Sequence, residues 1–122
     1  MTRYLASAYT LYYVTGVDLN SWQTQLRKGA VELVVLTMLA RSEAYGLELL
    51  ERVNAAGEMI SEGSFYPLLT RLEKAGKVAA RWDTESGVNP RKYYRLTDEG
   101  EALRAAMIER WGGFRAMMDR LV

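Results

Sequence analysis

The chain has 122 residues, a length for one modest domain, with sixteen Lys and Arg against fifteen Asp and Glu. That near-balance gives no bulk push toward nucleic acid, so any such argument rests on where the charges sit. Cysteine and histidine are both absent, which excludes disulfides, thiolate chemistry, Cys or His zinc sites and His-based general bases. No apolar run reaches the eighteen or so residues a membrane span needs, and the N-terminus lacks signal-peptide features. The expectation is a cytoplasmic, soluble protein with no membrane partner, no metal and no cofactor.

Residues 1–22 read as an aromatic-rich extension, with Tyr4, Tyr9, Tyr12, Tyr13 and Trp22 but only Arg3 and Asp18 as charges. Tyr12, Val14 and Val17 lean toward strand, whereas Tyr4, Leu5, Ala8 and Leu11 suit a helix face; both stay open. A first helix is predicted over 24–41, capped by Asn20 or Ser21. From Ala30 to Ala40 only Glu32 and Thr37 are polar, which places this helix in the core.

A second helix is predicted over 44–56, with Leu47, Leu50 and Val53 on its buried stripe and Gly57 as the stop. A third covers 61–75. Phe65, Leu68, Leu69 and Leu72 fall at i, i+3, i+4 and i+7, a full amphipathic repeat, and Ser61 or Ser64 can cap it. If Ser64 caps, Pro67 lies in the first turn, where a missing N–H is harmless. Residues 77–82 alternate as a strand, 83–90 are turn chemistry, and 91–96 form a second strand. The last helix starts at Thr97. Its Leu103, Met107, Trp111, Phe114, Met118 and Leu121 step by four, four, three, four and three, close to a coiled-coil seam. Such a stripe needs a partner, and a second copy of the chain is the natural one.

Three short helices, a hairpin and a long helix make a mainly α fold with a small β wing, a winged helix-turn-helix followed by a dimerisation helix. The expected division is extension 1–22, DNA-binding unit 23–96 and dimerisation helix 97–122. With the third helix's core face fixed, its other face shows Ser64, Tyr66, Pro67, Thr70, Arg71 and Lys74, which suit phosphates and base edges. The hairpin is basic: Lys77, Arg81, Arg91, Lys92 and Arg95 stand against Asp83 and Glu85. An ordinary solvated surface is the other reading of each feature, weakened by the tight helical pair before the third helix and the basic hairpin after it. Isolated carboxylates such as Glu48 and Glu51 give little support to an enzyme. A winged-helix module that binds protein and not DNA is the alternative.

Four segments in order resemble the PadR family of bacterial repressors: LRKGAVELVVLTMLA (26–40), AYGLELLERV (44–53), ISEGSFYPLLTRLEKAGKV (60–78) and NPRKYYRLTDEG (89–100). The resemblance covers about residues 25–122 and looks like the smaller branch, with a single C-terminal helix. It implies a homodimer on a two-fold operator of double-stranded DNA, with repression relieved by a ligand or signal. By the same likeness, Ser64, Tyr66, Pro67, Thr70 and Arg71 match the recognition helix, and Asn89, Pro90, Arg91 and Lys92 match the wing. Tyr45 matches the start of the second helix near the DNA backbone. Family wings commonly carry one or two glycines before Pro-Arg, where this chain has Gly87-Val88-Asn89-Pro90. Trp111 stands where multidrug-responsive members carry a Trp that stacks on flat aromatic ligands in a pore between protomers. Gln25, Lys28, Glu32 and Phe114 would help to line that pore for a small aromatic effector, and Met107 and Met118 join Trp111 on the dimer seam. Plain interface packing is the other reading of Trp111. Lys28 and Glu32 are also an i, i+4 pair that can meet each other.

Overall fold

The computed structural model describes residues 16–85, 87 and 89–122. The aromatic cluster Tyr4–Tyr13, and Ser86 and Val88 of the wing loop, lie outside those residues. The elements are α1 (Gly16–Arg41), β1 (Ala44–Tyr45), α2 (Gly46–Val53), α3 (Glu62–Lys74), β2 (Val78–Asp83), β3 (Arg91–Leu96) and α4 (Asp98–Leu121). The architecture is a winged helix-turn-helix: three helices, a small antiparallel sheet of order β1-β3-β2, and a long final helix. No helix among the described residues is long and apolar enough to cross a membrane.

α1 starts eight residues earlier than the periodicity suggested. Asn20 and Ser21 are inside the helix and not its caps; the Asn20 carbonyl accepts from the Thr24 hydroxyl at 2.8 Å. Asp18 supplies the first-turn carboxylate that the helix dipole favours. Nothing between Asp18 and Thr24 breaks a helix, so α1 runs straight through the expected boundary at residue 22. Its apolar half enters the core as expected, with Val31, Val35, Leu36 and Leu39 buried.

The segment after α1 departs from the helix expected over 44–56. Ala44 and Tyr45 form a short strand, paired antiparallel as Ala44↔Tyr94 and Tyr45↔Tyr93, and the wing hairpin thereby becomes a three-stranded sheet. Fully buried Ala44 and the edge-on Tyr45–Tyr93 ring pair at 5.7 Å favour extended backbone here. Starting α2 at Gly46 changes which side chains are inside. Leu49, Leu50 and Val53 are buried, while Leu47, expected on the core stripe, is half exposed. α2 ends at Val53 because the next residue is used otherwise. The Asn54 side chain accepts from the backbone N–H groups of Met59 (2.8 Å) and Ile60 (3.1 Å) and donates to the Ile60 carbonyl (3.0 Å), fixing the connection to α3.

In α3 the four-residue repeat is borne out: Phe65, Leu68, Leu69 and Leu72 are all buried. Ser61 is the cap, its hydroxyl accepting from the Ser64 N–H at 3.3 Å. Pro67 therefore lies inside the helix and not in its first turn, and leaves the Gly63 carbonyl without its i+4 donor. α3 closes at Gly76, whose φ of +76° suits a residue without a side chain. β2 and β3 pair from Val78↔Leu96 to Asp83↔Arg91.

β3 hands over directly to α4. The Thr97 hydroxyl accepts from the Gly100 N–H (3.0 Å) and donates to the Gly76 carbonyl (2.7 Å), and the Thr97 N–H donates to the Lys77 carbonyl (3.2 Å). Gly100 is buried against this joint. α4 lies on α1 through Leu103 and Met107, which pack on the core. From Ile108 onward every residue of α4 is exposed in the single chain, including Trp111, Phe114, Met118 and Leu121.

Candidate nucleic-acid interface

The sequence placed six positions of α3 on one face, and the structure brings five of them, Tyr66, Pro67, Thr70, Arg71 and Lys74, together around one shallow depression. Ser64, also exposed, borders a different hollow, shared with Lys28, Val31 and Ile60 between α1 and the α2–α3 connection. Two of the five are engaged inside the chain. The Thr70 hydroxyl donates to the Tyr66 carbonyl one turn back at 3.0 Å, which leaves its lone pairs outward as acceptors. The Arg71 guanidinium lies 3.6 Å from the Glu32 carboxylate of α1. With Arg71 mostly in solvent, that pair is weak, about 0.2–1 kcal/mol, and yields readily to a phosphate.

The wing's side chains divide by strand parity. On one face Arg81 stacks over Tyr93 (4.8 Å) and Arg91 over Tyr45 (4.5 Å), with Tyr45 edge-on to Tyr93 between them. Arg81 also donates from Nε to Glu43 Oε2 at 3.2 Å, and the pair holds the Glu43 carboxyl below the usual carboxylate range. Arg91 and Tyr45, expected to meet the DNA backbone, thus form one unit. The opposite face carries Lys92, whose ammonium donates to Glu73 of α3 at 3.1 Å and lies 5.4 Å from the Tyr94 ring. The hydrogen bond to Glu73 raises the Lys92 pKa, so this cation stays charged at every physiological pH. Asn89 is exposed in the loop.

Sequence reading offered Lys28 as the partner of Glu32 and did not single out Glu73; no local signal could show their actual partners Arg71 and Lys92, thirty-nine and nineteen positions away. Tyr66 was placed on the outer face, yet its ring also fits against Gly46: a Cβ on that glycine would come within 2.9 Å of Tyr66 Cε1. Partial burial, and then Glu62 and Tyr94, raise the Tyr66 pKa, so its phenol remains a neutral donor.

The expected effector residues separate into two groups. Gln25, Met107, Trp111 and Phe114 line one open, mostly apolar cleft of about 890 Å³ between α1 and α4, joined by Leu26, Leu33, Arg27 and Arg110. Trp111 and Phe114 lie with ring centroids 6.3 Å apart. Lys28 and Glu32 are outside that lining: Lys28 borders the hollow near Ser64, and Glu32 meets Arg71 and not Lys28. Met118 continues the exposed stripe beyond the cleft. Among the described residues no cluster of His, Cys, Asp or Glu could hold a metal ion, and Glu48, one of the isolated carboxylates, pairs with Arg52 at 3.4 Å.

Comparison with known proteins agrees with this geometry. Residues 35–106 match the model of the transcriptional regulator PadR-like family. A PadR family regulator from Eggerthella lenta is 36% identical, with a TM-score of 0.77 over 84% of this chain and 90% of that one. A PadR-like regulator from Bacillus cereus is 34% identical, with a TM-score of 0.72 over 80% and 95%. A transcriptional regulator of Mycobacterium tuberculosis is 33% identical across 70% of this chain and 76% of its own length. By sequence and fold together, the chain belongs to the PadR-like family of transcriptional regulators, DNA-binding regulators and not enzymes.

Proposed function

We propose that the protein is a repressor that binds a two-fold operator in double-stranded DNA as a homodimer. The observation that carries the dimer is the outer half of α4. Ile108, Trp111, Phe114, Met117, Met118 and Leu121 are each at least 38% exposed in the single chain. An apolar stripe of that length on a soluble protein marks an interface. α4 is capped onto the wing through Thr97, so pairing of α4 with a second copy would fix the distance between two α3 helices. A two-fold operator needs that distance near one helical turn, roughly 34 Å.

In this reading α3 enters the major groove with Tyr66, Pro67, Thr70, Arg71 and Lys74, and Ser64 lies near its N-terminus. Tyr45, Asn89, Arg91 and Lys92 take the flanking backbone. The α1–α4 cleft receives a flat aromatic effector against Trp111 and Phe114, with Gln25, Arg27 and Arg110 as its polar lining. An effector that prefers another α4 pairing shifts the population away from the DNA-bound spacing. The test is the pair Arg71→Ala and Lys92→Ala, titrated into duplex DNA across a salt series. Each is expected to weaken binding and to lower the slope of log K against log[salt] by about one if the residue neutralises a phosphate. Unchanged affinity in both variants would refute the docking.

A further inference from the structure

Trp82 is 63% exposed, more than Trp22, Trp111, Phe114 or Tyr66. Its strand position does not call for that. Trp82 shares its sheet face with Val78 and Ala80 and, across the register, with Lys92, Tyr94 and Leu96. At the body end this face is core, with Val78 2% and Tyr94 7% exposed. At the wing end the same face runs out beyond the helices and ends on an uncovered indole. Half-exposed Leu47 stands beside it, turned outward because α2 begins at Gly46. Together with Tyr66, Arg91 and Lys92 they border a recess of about 260 Å³ between the wing and the start of α3.

We infer that this recess seats one strand of the DNA backbone, with the Trp82 indole and Leu47 packed on deoxyribose and Arg91 and Lys92 on the flanking phosphates. The inference rests on the DNA-binding reading above and adds to it an apolar contact that none of the expected site residues supplies. Charge complementarity selects the occupant: an apolar floor edged by Arg91, and by Lys92 whose partly exposed pair with Glu73 a phosphate can displace, suits a chain that alternates apolar sugar and anionic phosphate. The recess is also continuous with the α3 face through Tyr66, which borders both hollows. A duplex held by α3 in its major groove therefore passes its backbone along the wing. Gly46 keeps the recess open, because a side chain there would displace the Tyr66 ring.

An apolar contact and a phosphate contact leave different marks. Removing an indole packed on deoxyribose returns its apolar area to water and is expected to weaken binding by a few-fold, and no counter-ion release is lost with it. Trp82→Ala, titrated into a duplex of the protein's own upstream DNA, is expected to bind at least about threefold more weakly with the salt slope unchanged. Trp82→Phe is expected to recover much of the loss. Wild-type affinity in Trp82→Ala would overturn the inference while leaving the DNA-binding reading intact. A loss accompanied by a lowered salt slope would also overturn it, since the effect would then run through Arg91 or Lys92. Failure of the unaltered protein to bind the duplex would remove the reading beneath it. A second readout does not depend on affinity. The chain has three Trp, and subtracting the spectrum of Trp82→Phe from that of the unaltered protein isolates the Trp82 indole. Its emission is expected to shift or quench when the duplex is added, and an unchanged spectrum under saturating DNA would overturn the contact.

Discussion

Adding one methyl group at Gly100 should uncouple α4 from the wing. A Cβ there would stand 2.0 Å from the Lys77 carbonyl oxygen and 2.7 Å from Leu96 Cδ1. Carbon–oxygen contacts ordinarily stand at about 3.3 Å or more, so the start of α4 has to move by over an ångström. The Lys77 carbonyl accepts the Thr97 N–H, and the Thr97 hydroxyl caps Gly100, so the displacement strains both bonds. Overpacking costs about 1–3 kcal/mol and a weakened cap about 1 kcal/mol more. The better helix propensity of alanine returns up to about 1 kcal/mol. The net loss is about 1–3 kcal/mol, a fall in Tm of about 5–15 °C for a chain this size. Gly63→Ala is the internal control: it lies in α3 with nothing within 4 Å of the added Cβ, and should be neutral or stabilising by up to about 1 kcal/mol. Thermal melts followed by circular dichroism, at one fixed protomer concentration, compare the two. A Gly100→Ala melt within about a degree or two of wild type would refute the account of the joint.

Three further outcomes follow from named contacts. Glu32→Gln releases Arg71 from a bond that the proposed docking makes it surrender, and should tighten operator binding by up to about fivefold, read by fluorescence anisotropy; weaker binding would contradict the competition. Trp111→Glu places a charge on the stripe assigned to the dimer seam and should weaken dimerisation by at least about a hundredfold, read by sedimentation; an unchanged dimer would relocate the interface. Arg81 holds the Glu43 carboxyl below its ordinary pKa, so this pair's contribution to stability is present above the usual carboxylate range and is lost as pH falls through the lowered value. The Tm difference between wild type and Glu43→Gln should therefore stay level near neutrality and vanish in acid; a difference that grows in acid would have the wrong sign.

The elements were legible where a single face decided them. The α3 repeat at 65, 68, 69 and 72 names its own core because four large apolar groups at helical spacing have only one side to bury. The 44–56 segment was not legible as a whole. Its strand exists through pairing with β3, about fifty positions away, and that pairing moved Leu47 out and Leu49 in. The start of α1 was not legible because Asn20 and Ser21 read as cap residues, and because Leu19, Trp22 and Leu26, though at helical spacing, stay exposed and mark no core face. On the interface, the α3 face could be read by subtraction from the core face. The counter-ions Glu32 and Glu73 could not, since each meets its cation through tertiary packing. Trp82 was visible as one end of an alternating strand, but its exposure depends on where the helices stop covering the sheet.

The most direct test of a two-fold operator-binding repressor is a titration of the purified protein into duplex DNA from its own upstream region. Scrambled duplex serves as the comparison, and both are run at two salt concentrations with stoichiometry read at saturation. The account predicts two protomers per site, preference for the upstream sequence, and affinity that falls steeply with salt. Weak binding that ignores both sequence and salt would contradict it and favour a winged-helix module whose α3 and wing meet protein.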